Sequence, residues 1–552
     1  MKTKRIVYLL TALSAFSICL SACSKGGGSS EAKHEYYIER PTFDGDFTTY
    51  AVSAKPSGVN MTYYSDIYSR GFSWVTDTSV TDTKLYLVKG DNWKDADYSQ
   101  ATPINGTSLE VSYDTQGYFR TIDNSIPAYQ GKSTNDYDLS VMTHKVHVEN
   151  LEKGVAYSYK IGSEQGWYYG AFVTEEDNPE TLTAIQMSDA QTKDPSKLNV
   201  WRNTFTHAVE TAGKELDTVL YNGDQFDQNI TKVNSSDQYK PNRFLCYAKA
   251  LDVINDYKIN IPYMASSGNH ERTAPYSQYL MGDVNYSGIA ATGCYYSYDY
   301  NFAHFVVLNS YEVTDAEINW LKSDLDNASN MKWKIVMLHI SPYSTGDNSN
   351  SSDNRAIVEK LTPIFSQKHV DLVLQAHDHT YNKTLPYKWD AAGYTTEWNN
   401  QDVVNFEPET FENNGTVYDK NPQGTYYVTT GAAGHRCGSS ESDGVWSEVV
   451  KDGDTWKGLN SSKTFLSNKY KIECGFLKYD NQYVSYQTGS YTSAQNYKKG
   501  DLATGNVNAQ MFGVLKINYD SLSYGAYTVE IKDAAATNSD IKLFDSIDIW
   551  KD

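Results

Sequence analysis

Five short polar clusters carry the side chains in this sequence that could act together chemically. They are Asp189-Ala190-Gln191, Gly223-Asp224-Gln225-Phe226-Asp227, Gly268-Asn269-His270-Glu271, His339, and His377-Asp378-His379. Their donors are carboxylates, imidazoles and amide oxygens, the set that holds borderline and hard divalent or trivalent metal ions without thiolate. Residues two apart on an extended segment project to one side, so Asp189 with Gln191, and His377 with His379, are each expected to offer two ligands to adjacent ions. Nothing resembles a nucleophile elbow or a P-loop, which disfavours a covalent serine intermediate and nucleotide-driven chemistry.

The elements that must position these clusters are legible around them. Apolar runs at 184–187, 219–221, 261–264, 335–338 and 372–374 read as strands, each running into one of the five clusters. Helical periodicity lies between them, as at Leu198, Trp201, Phe205 and Val209, and Thr314-Asp315-Ala316-Glu317 reads as a capping box opening another helix. Strand ends in layered α/β proteins gather side chains from distant positions, so all five clusters should face one pocket. Upstream, residues 36–176 read as all-β, with short runs of β-formers separated by Gly, Asn and Asp turns, which predicts a sandwich. The layered unit spans 180–552, with loop-rich insertions expected at about 382–423 and 440–508 and a return of β-pattern at 512–517 and 527–531.

The ordered series resembles the calcineurin-like metallophosphoesterase family, whose pattern runs D-x-H, G-D-x-x-D, G-N-H-E, H and G-H-x-H. With the β-region before it, the chain is most similar to the purple acid phosphatase branch, and residues 151–174 resemble the last strands of a fibronectin type III-like domain. The resemblance implies a multidomain fold class: an N-terminal all-β sandwich followed by a layered α/β domain of αββα type. Carried over residue by residue, Asp189, Gln191, Asp224 and His379 would hold one metal, and Asp224, Asn269, His339 and His377 the second, with Asp224 as the bridge. The two ions would be Fe, Zn or Mn. They would neutralise phosphate oxygens, lower the pKa of bound water and align in-line attack, while His270 would serve the leaving alkoxide and Asp227 would orient His270. The implied enzyme is a metal-dependent phosphoric ester hydrolase acting on phosphomonoesters, with a phosphodiesterase or nucleotidase as the alternative. A surface binding protein with a dead centre is the reading from another class. Three departures stand out: Gln191 where most of the family has His, Ala376 where a glycine precedes His377, and Asp227 where purple acid phosphatases carry a metal-binding Tyr.

Composition sets the outer bounds. At 552 residues the chain exceeds a single domain core, and its formal charge of -20 argues against nucleic acid as a bulk partner. Lys2, Lys4 and Arg5 precede an apolar run at 6–20, and the first 22 residues read as an export signal. Leu20-Ser21-Ala22-Cys23 looks like a lipobox, so Cys23 is expected to be lipidated, anchoring the protein to the cell membrane outside the cytoplasm by a flexible tether at 23–35. Of the remaining thiols, Cys437 and Cys474 are the favoured disulfide pair in an oxidising compartment.

Overall fold

The computed structural model describes residues 53–113, 119–121, 139–192, 195–226, 243–257, 259–271, 281–290, 292–344, 352–379, 381–389, 403–405, 408–430, 433–434, 508–531 and 539–552, with short strands between 448 and 490. The signal and tether with Cys23, Asp227, Cys437 and the Cys474 side chain lie outside the described residues.

Residues 57–173 form two antiparallel sheets. One runs in the order Ser57–Thr62, Arg70–Thr76, Leu139–Val148, Thr107–Tyr113, Phe119–Thr121, and the other in the order Ile104–Asn105, Lys84–Lys89, Ala156–Ser163, Gly166–Val173. Met61, Phe72, Trp74, Val146, Tyr159 and Phe172 meet in their shared core. Alternation explains this inner face only. The strand Arg70–Thr76 is buried at every position, because Val75, with Val111 and Val141 of neighbouring strands, joins the core of the following unit. The join is also polar. Thr62 Oγ1 donates to the Asp283 carbonyl at 2.8 Å, and Tyr159 OH to Asn260 Oδ1 at 2.7 Å. Gly58, at φ +57, lies so near the helix Arg243–Ile254 that a Cβ there would come within 2.8 Å of Ala248 Cβ.

His144 is buried inside this N-terminal unit. Its Nε2 lies 2.8 Å from Thr76 Oγ1 and its Nδ1 2.7 Å from Thr83 Oγ1, with the ring stacked on Trp74. Burial pushes its pKa down to about 4. The folded pKa is depressed below the unfolded value of about 6.5, so between the two the unfolded chain binds a proton that the folded chain refuses. Stability is therefore full above about pH 6.5 and falls as the pH drops toward 4, by about 3 kcal/mol in all. Unfolding midpoints compared at pH 7 and pH 4 should show this loss in the wild type and a smaller one in His144→Gln. Equal acid sensitivity in the two proteins would contradict the assignment.

The second unit packs two sheets face to face. The first has the order Tyr263–Ala265, Thr218–Tyr221, Thr181–Met187, Asn508–Asn518, Ser521–Ile531, Ser539–Trp550, Thr416–Lys420, Glu409–Asn413. The second has the order Gly288–Ile289, Cys294–Tyr300, Ala303–Val307, Trp333–Ile340, Leu372–Ala376, Tyr426–Thr430, Tyr381–Lys383, Glu473–Cys474. The strand period of two divides their side chains. Ala184, Leu220, Ile335 and Met337 point into the space between the sheets, whereas Ile185, Val219 and Tyr221 face Trp201 and Phe205 of the helix Pro195–Ala212. Val336 and Leu338 face Leu321, Leu325 and Ile357 on the helices of the opposite side. The result is a four-layer helix-sheet-sheet-helix arrangement.

The segment read as a loop-rich insertion at 382–423 supplies strands to both sheets. Tyr381–Lys383 pairs with Tyr426–Thr430, and Thr416–Lys420 runs parallel to Ser539–Trp550 with Glu409–Asn413 outside it. Neither of these last two strands has a buried position, and a strand with wet faces reads as loop by composition. Within 440–508, Glu448–Asp452, Thr455–Gly458, Phe476–Tyr479 and Gln482–Ser485 form a small sheet of their own. Among the described residues no helix is long and apolar enough to cross a membrane.

Candidate metal centre

The C-terminal ends of the parallel strands in both sheets meet at one seam. Thr181–Met187, Thr218–Tyr221 and Tyr263–Ala265 of the first sheet lead to Asp189, Asp224 and Asn269. The second sheet supplies His339 from within Trp333–Ile340 and His377 directly after Leu372–Ala376. Extended alternation is not what aims these side chains. Asp189, Gln191, Asp224 and His377 have φ of +53, +43, +59 and +71, so each turns on left-handed backbone. That region costs a non-glycine residue about 1–2 kcal/mol, and such strain gathers where function holds it in place. Gly268 shows how tight the seam is: a Cβ there would lie 2.1 Å from Asp224 Oδ1.

The seam brings seven of the predicted residues together. His339 Nε2 lies 2.9 Å from Asn269 Oδ1 and 3.4 Å from Asp224 Oδ2, and His377 Nδ1 lies 3.0 Å from the same Asn269 oxygen. Ligand atoms of Asp224, His339 and His377 all fall within 4.8 Å of one another. Beside them, His379 Nε2 stands 3.3 Å from Asp189 Oδ1 and 3.4 Å from Gln191 Nε2, which donates to Asp224 Oδ2 at 3.2 Å. Asp224 touches both groups.

Residues 182–381 match the family model described as calcineurin-like phosphoesterase. Human (Homo sapiens) acid phosphatase type 7 is 25% identical over 322 residues, covering 53% of this chain and 64% of that protein. A purple acid phosphatase of Glycine max is 26% identical over 264 residues, covering 44% of this chain and 52% of that one. The chain thus spans a little under two thirds of the first relative's length and about half of the second's. A purple acid phosphatase from yellow lupin (Lupinus luteus) seeds shares the fold, with a TM-score of 0.53 at 14% identity, over 90% of this chain and 75% of that one.

Within the phosphoesterase domain, buried groups that motif reading passed over hold the donors in place. Asn222 donates through Nδ2 to the carbonyls of Leu338 (3.0 Å) and Leu374 (2.9 Å), tying the first sheet to two strands of the second, and its Oδ1 accepts from Gln186 Nε2 at 2.8 Å. Its own carbonyl lies 2.6 Å from His339 Nδ1. That hydrogen bond places a proton on Nδ1, so that in the neutral ring Nε2 carries the lone pair. Glu271, ending the Gly-Asn-His-Glu cluster, accepts from the backbone N–H groups of Asp224 (2.8 Å), Gln225 (2.7 Å) and Gly268 (2.9 Å). It thereby fastens two donor loops to each other. The sequence signal was slight: a polar residue where an apolar strand ends, and an acid at the end of a turn.

His270 differs from its neighbours. Its backbone N–H donates to Asp224 Oδ1 at 2.8 Å, its Nδ1 lies 2.8 Å from the Phe226 carbonyl, and its Nε2 stands 3.4 Å from Asp224 Oδ2. The Phe226 carbonyl holds this ring at Nδ1, and Asp227, the residue expected to orient it, lies outside the described residues. Of the histidines outside the seam, His304 is held between Asp299 and Asp324 at 2.6 and 2.9 Å, a structural anchor.

The charges of the seam act on one another. Burial alone would raise the Asp224 carboxyl, but the His270 and His339 imidazoles outweigh it and hold Asp224 well below the ordinary carboxylate range. Burial likewise opposes charge on His339, yet Asp224 holds it up to about 10. Burial, and behind it the positive His339, pushes His377 below its ordinary value. Burial and then the Asp224 charge push Glu271 up to about 7. The seam attracts positive charge, and a proton is the smallest cation it can take.

Proposed function

We propose that this chain is a metal-dependent phosphate ester hydrolase with two ions, one held by Asp189, Gln191, Asp224 and His379 and the other by Asp224, Asn269, His339 and His377. The observation that carries this reading is the convergence on the second position. With Nδ1–H committed to Asn222, a neutral His339 aims a lone pair at Asn269 Oδ1 and Asp224 Oδ2, which are acceptors too, and His377 Nδ1 joins them. Ligand atoms gathered this closely suit a cation between them. Their separations of 2.9–3.4 Å are also those of neighbouring ligands around an ion with bonds of about 2.1 Å. The similarity to acid and purple acid phosphatases supports phosphate esters as the substrate class.

Two ions bound there supply charge neutralisation for the phosphate and a water acidified toward neutral pH. The chain's own groups do the rest. Asp224 spans both positions, Asn222 fixes the His339 tautomer, and Glu271 keeps the Asp224 and Asn269 loops in register. His270 Nε2, with its other nitrogen anchored on Phe226, is placed to carry a proton to the leaving oxygen. In this reading the metals are Fe, Zn or Mn and phosphomonoesters are preferred. The N-terminal sheets serve as a fibronectin type III-like module, and the lipobox-like Cys23 places the enzyme on the membrane outside the cytoplasm.

Hydrolysis of an aryl phosphate and of its bis-ester, measured on metal-analysed protein, tests the assignment. The monoester should be the faster, with two metals per chain, and His339→Ala should lose metal and activity together. A bis-ester preference would move the reading to phosphodiesters, and a metal-free wild type with full activity would overturn it.

A further inference from the structure

Resting on the two-ion reading above, we infer that Tyr524, well beyond every metal donor in the chain, is a positioning residue for the reaction: its hydroxyl anchors a buried line of side-chain amides that holds His339 in place. The line is continuous across both sheets. Tyr524 OH, hydrogen-bonded to Thr430 Oγ1 of the second sheet, donates to Gln186 Oε1 at 2.8 Å. Gln186 Nε2 donates to Asn222 Oδ1 at 2.8 Å, and Asn222 Nδ2 donates to the carbonyls of Leu338 and Leu374 at 3.0 and 2.9 Å. The Asn222 carbonyl then meets His339 Nδ1 at 2.6 Å. All five of Thr430, Tyr524, Gln186, Asn222 and His339 are buried.

Its direction is forced from the far end. The Leu338 and Leu374 carbonyls can only accept, so Asn222 must turn its amide nitrogen to them and its oxygen toward Gln186. Gln186 gives its nitrogen to that oxygen, and its own oxygen is left in need of a donor inside the layer between the sheets. Tyr524 is that donor, and the Tyr524 oxygen takes the Thr430 proton in turn. The strand between Gln186 and Tyr524 is cut away to let the hydroxyl through. Gly513 of Asn508–Asn518 pairs with Gln186, and a Cβ there would fall 2.2 Å from Tyr524 OH. Glycine weakens a strand interior and often marks the close approach of another group. Without the hydroxyl, Gln186 Oε1 would be buried with no donor, a penalty relieved only by moving away from Asn222. Asn222 ties the first sheet to the strands that present His339 and His377, so the disturbance ends at the metal position.

The experiment loads the full chain with Co²⁺, whose visible bands report the arrangement of its ligands, and titrates it with a chelator while urea midpoints are taken on the same preparations. Tyr524→Phe removes one oxygen from a buried ring. It should shift the cobalt bands and lower the chelator concentration needed for release by about tenfold, the lower end of what groups orienting metal ligands contribute. Gly513→Ala, which crowds the hydroxyl out of its passage, should do the same. In a Gln186→Met background, Tyr524→Phe should have no further effect on either readout, because its route to His339 is already cut. Unchanged bands and retention in Tyr524→Phe, with or without a lower urea midpoint, would overturn the inference and leave the two-ion reading intact. Additive effects of Tyr524→Phe and Gln186→Met would also overturn it. A wild-type chain that binds no cobalt would overturn the two-ion reading, and this inference with it.

Discussion

Replacing His270 by alanine is expected to lower turnover about 10²–10⁴-fold with both ions still bound. The ring is held at Nδ1 by the Phe226 carbonyl and by its own backbone N–H to Asp224 Oδ1, while the donor oxygen expected of this turn comes from the neighbouring Asn269. An imidazole anchored at one nitrogen, with the other 3.4 Å from Asp224 Oδ2 beside the metal positions, is placed to move a proton. If it donates to the leaving oxygen, the loss should shrink for esters whose leaving groups depart without protonation. Kinetics on a series of aryl phosphates, with metal analysis of each preparation, decides this. Full activity in His270→Ala, or metal loss equal to that of His339→Ala, would remove His270 from the chemistry.

Removing the Glu271 carboxylate should have a comparably large effect by another route. Glu271→Ala strands the N–H groups of Asp224, Gln225 and Gly268 in a buried place. Each unsatisfied donor costs about 1–3 kcal/mol, so the total is a large share of the roughly 5–15 kcal/mol that holds a typical domain together. Lower urea midpoints and weaker metal retention should appear together, because the loops released are those that aim Asp224 and Asn269. Glu271→Gln keeps one acceptor oxygen. With that oxygen in the place where Oε2 takes two of the three bonds, it should lose markedly less than alanine. Equal losses in the two variants, or unchanged metal content in Glu271→Ala, would show that the carboxylate does not hold the loops.

The donors could be read from the sequence because their identity is itself the chemistry: Asp189, Asp224, Asn269, His339 and His377 each follow or end an apolar strand, and the structure gathers them. Their means of convergence could not be read. The left-handed backbone at Asp189, Gln191, Asp224 and His377 replaces the extended alternation that residue spacing suggested, and it is imposed by the packing of loops against each other. Asn222 is a similar case. Its reach to Leu338 and Leu374 depends on how two sheets stack, a distance that spacing along the chain does not encode. The two strands within 409–420 were hidden for the opposite reason, since having no buried position removed the hydrophobic period that would have marked them.

The strand that launches Asp189, Thr181–Met187, is paired along one side with Asn508–Asn518, and most of the chain lies between them. Its neighbour therefore emerges from the ribosome only after the whole intervening segment 188–507 has been made. Until then one face of the Asp189 strand has exposed hydrogen-bonding groups and the space between the sheets lacks Leu515, Ile517 and Leu522. Closing so distant a pair is slow, and the waiting intermediate shows apolar surface. A truncation that spares every donor from Asp189 to His379 but removes the last strands would keep the complete list of metal-binding residues and still be unable to bring them into one place. The capacity to bind metal is thus acquired only once Asn508–Asn518 has joined the strand that launches Asp189.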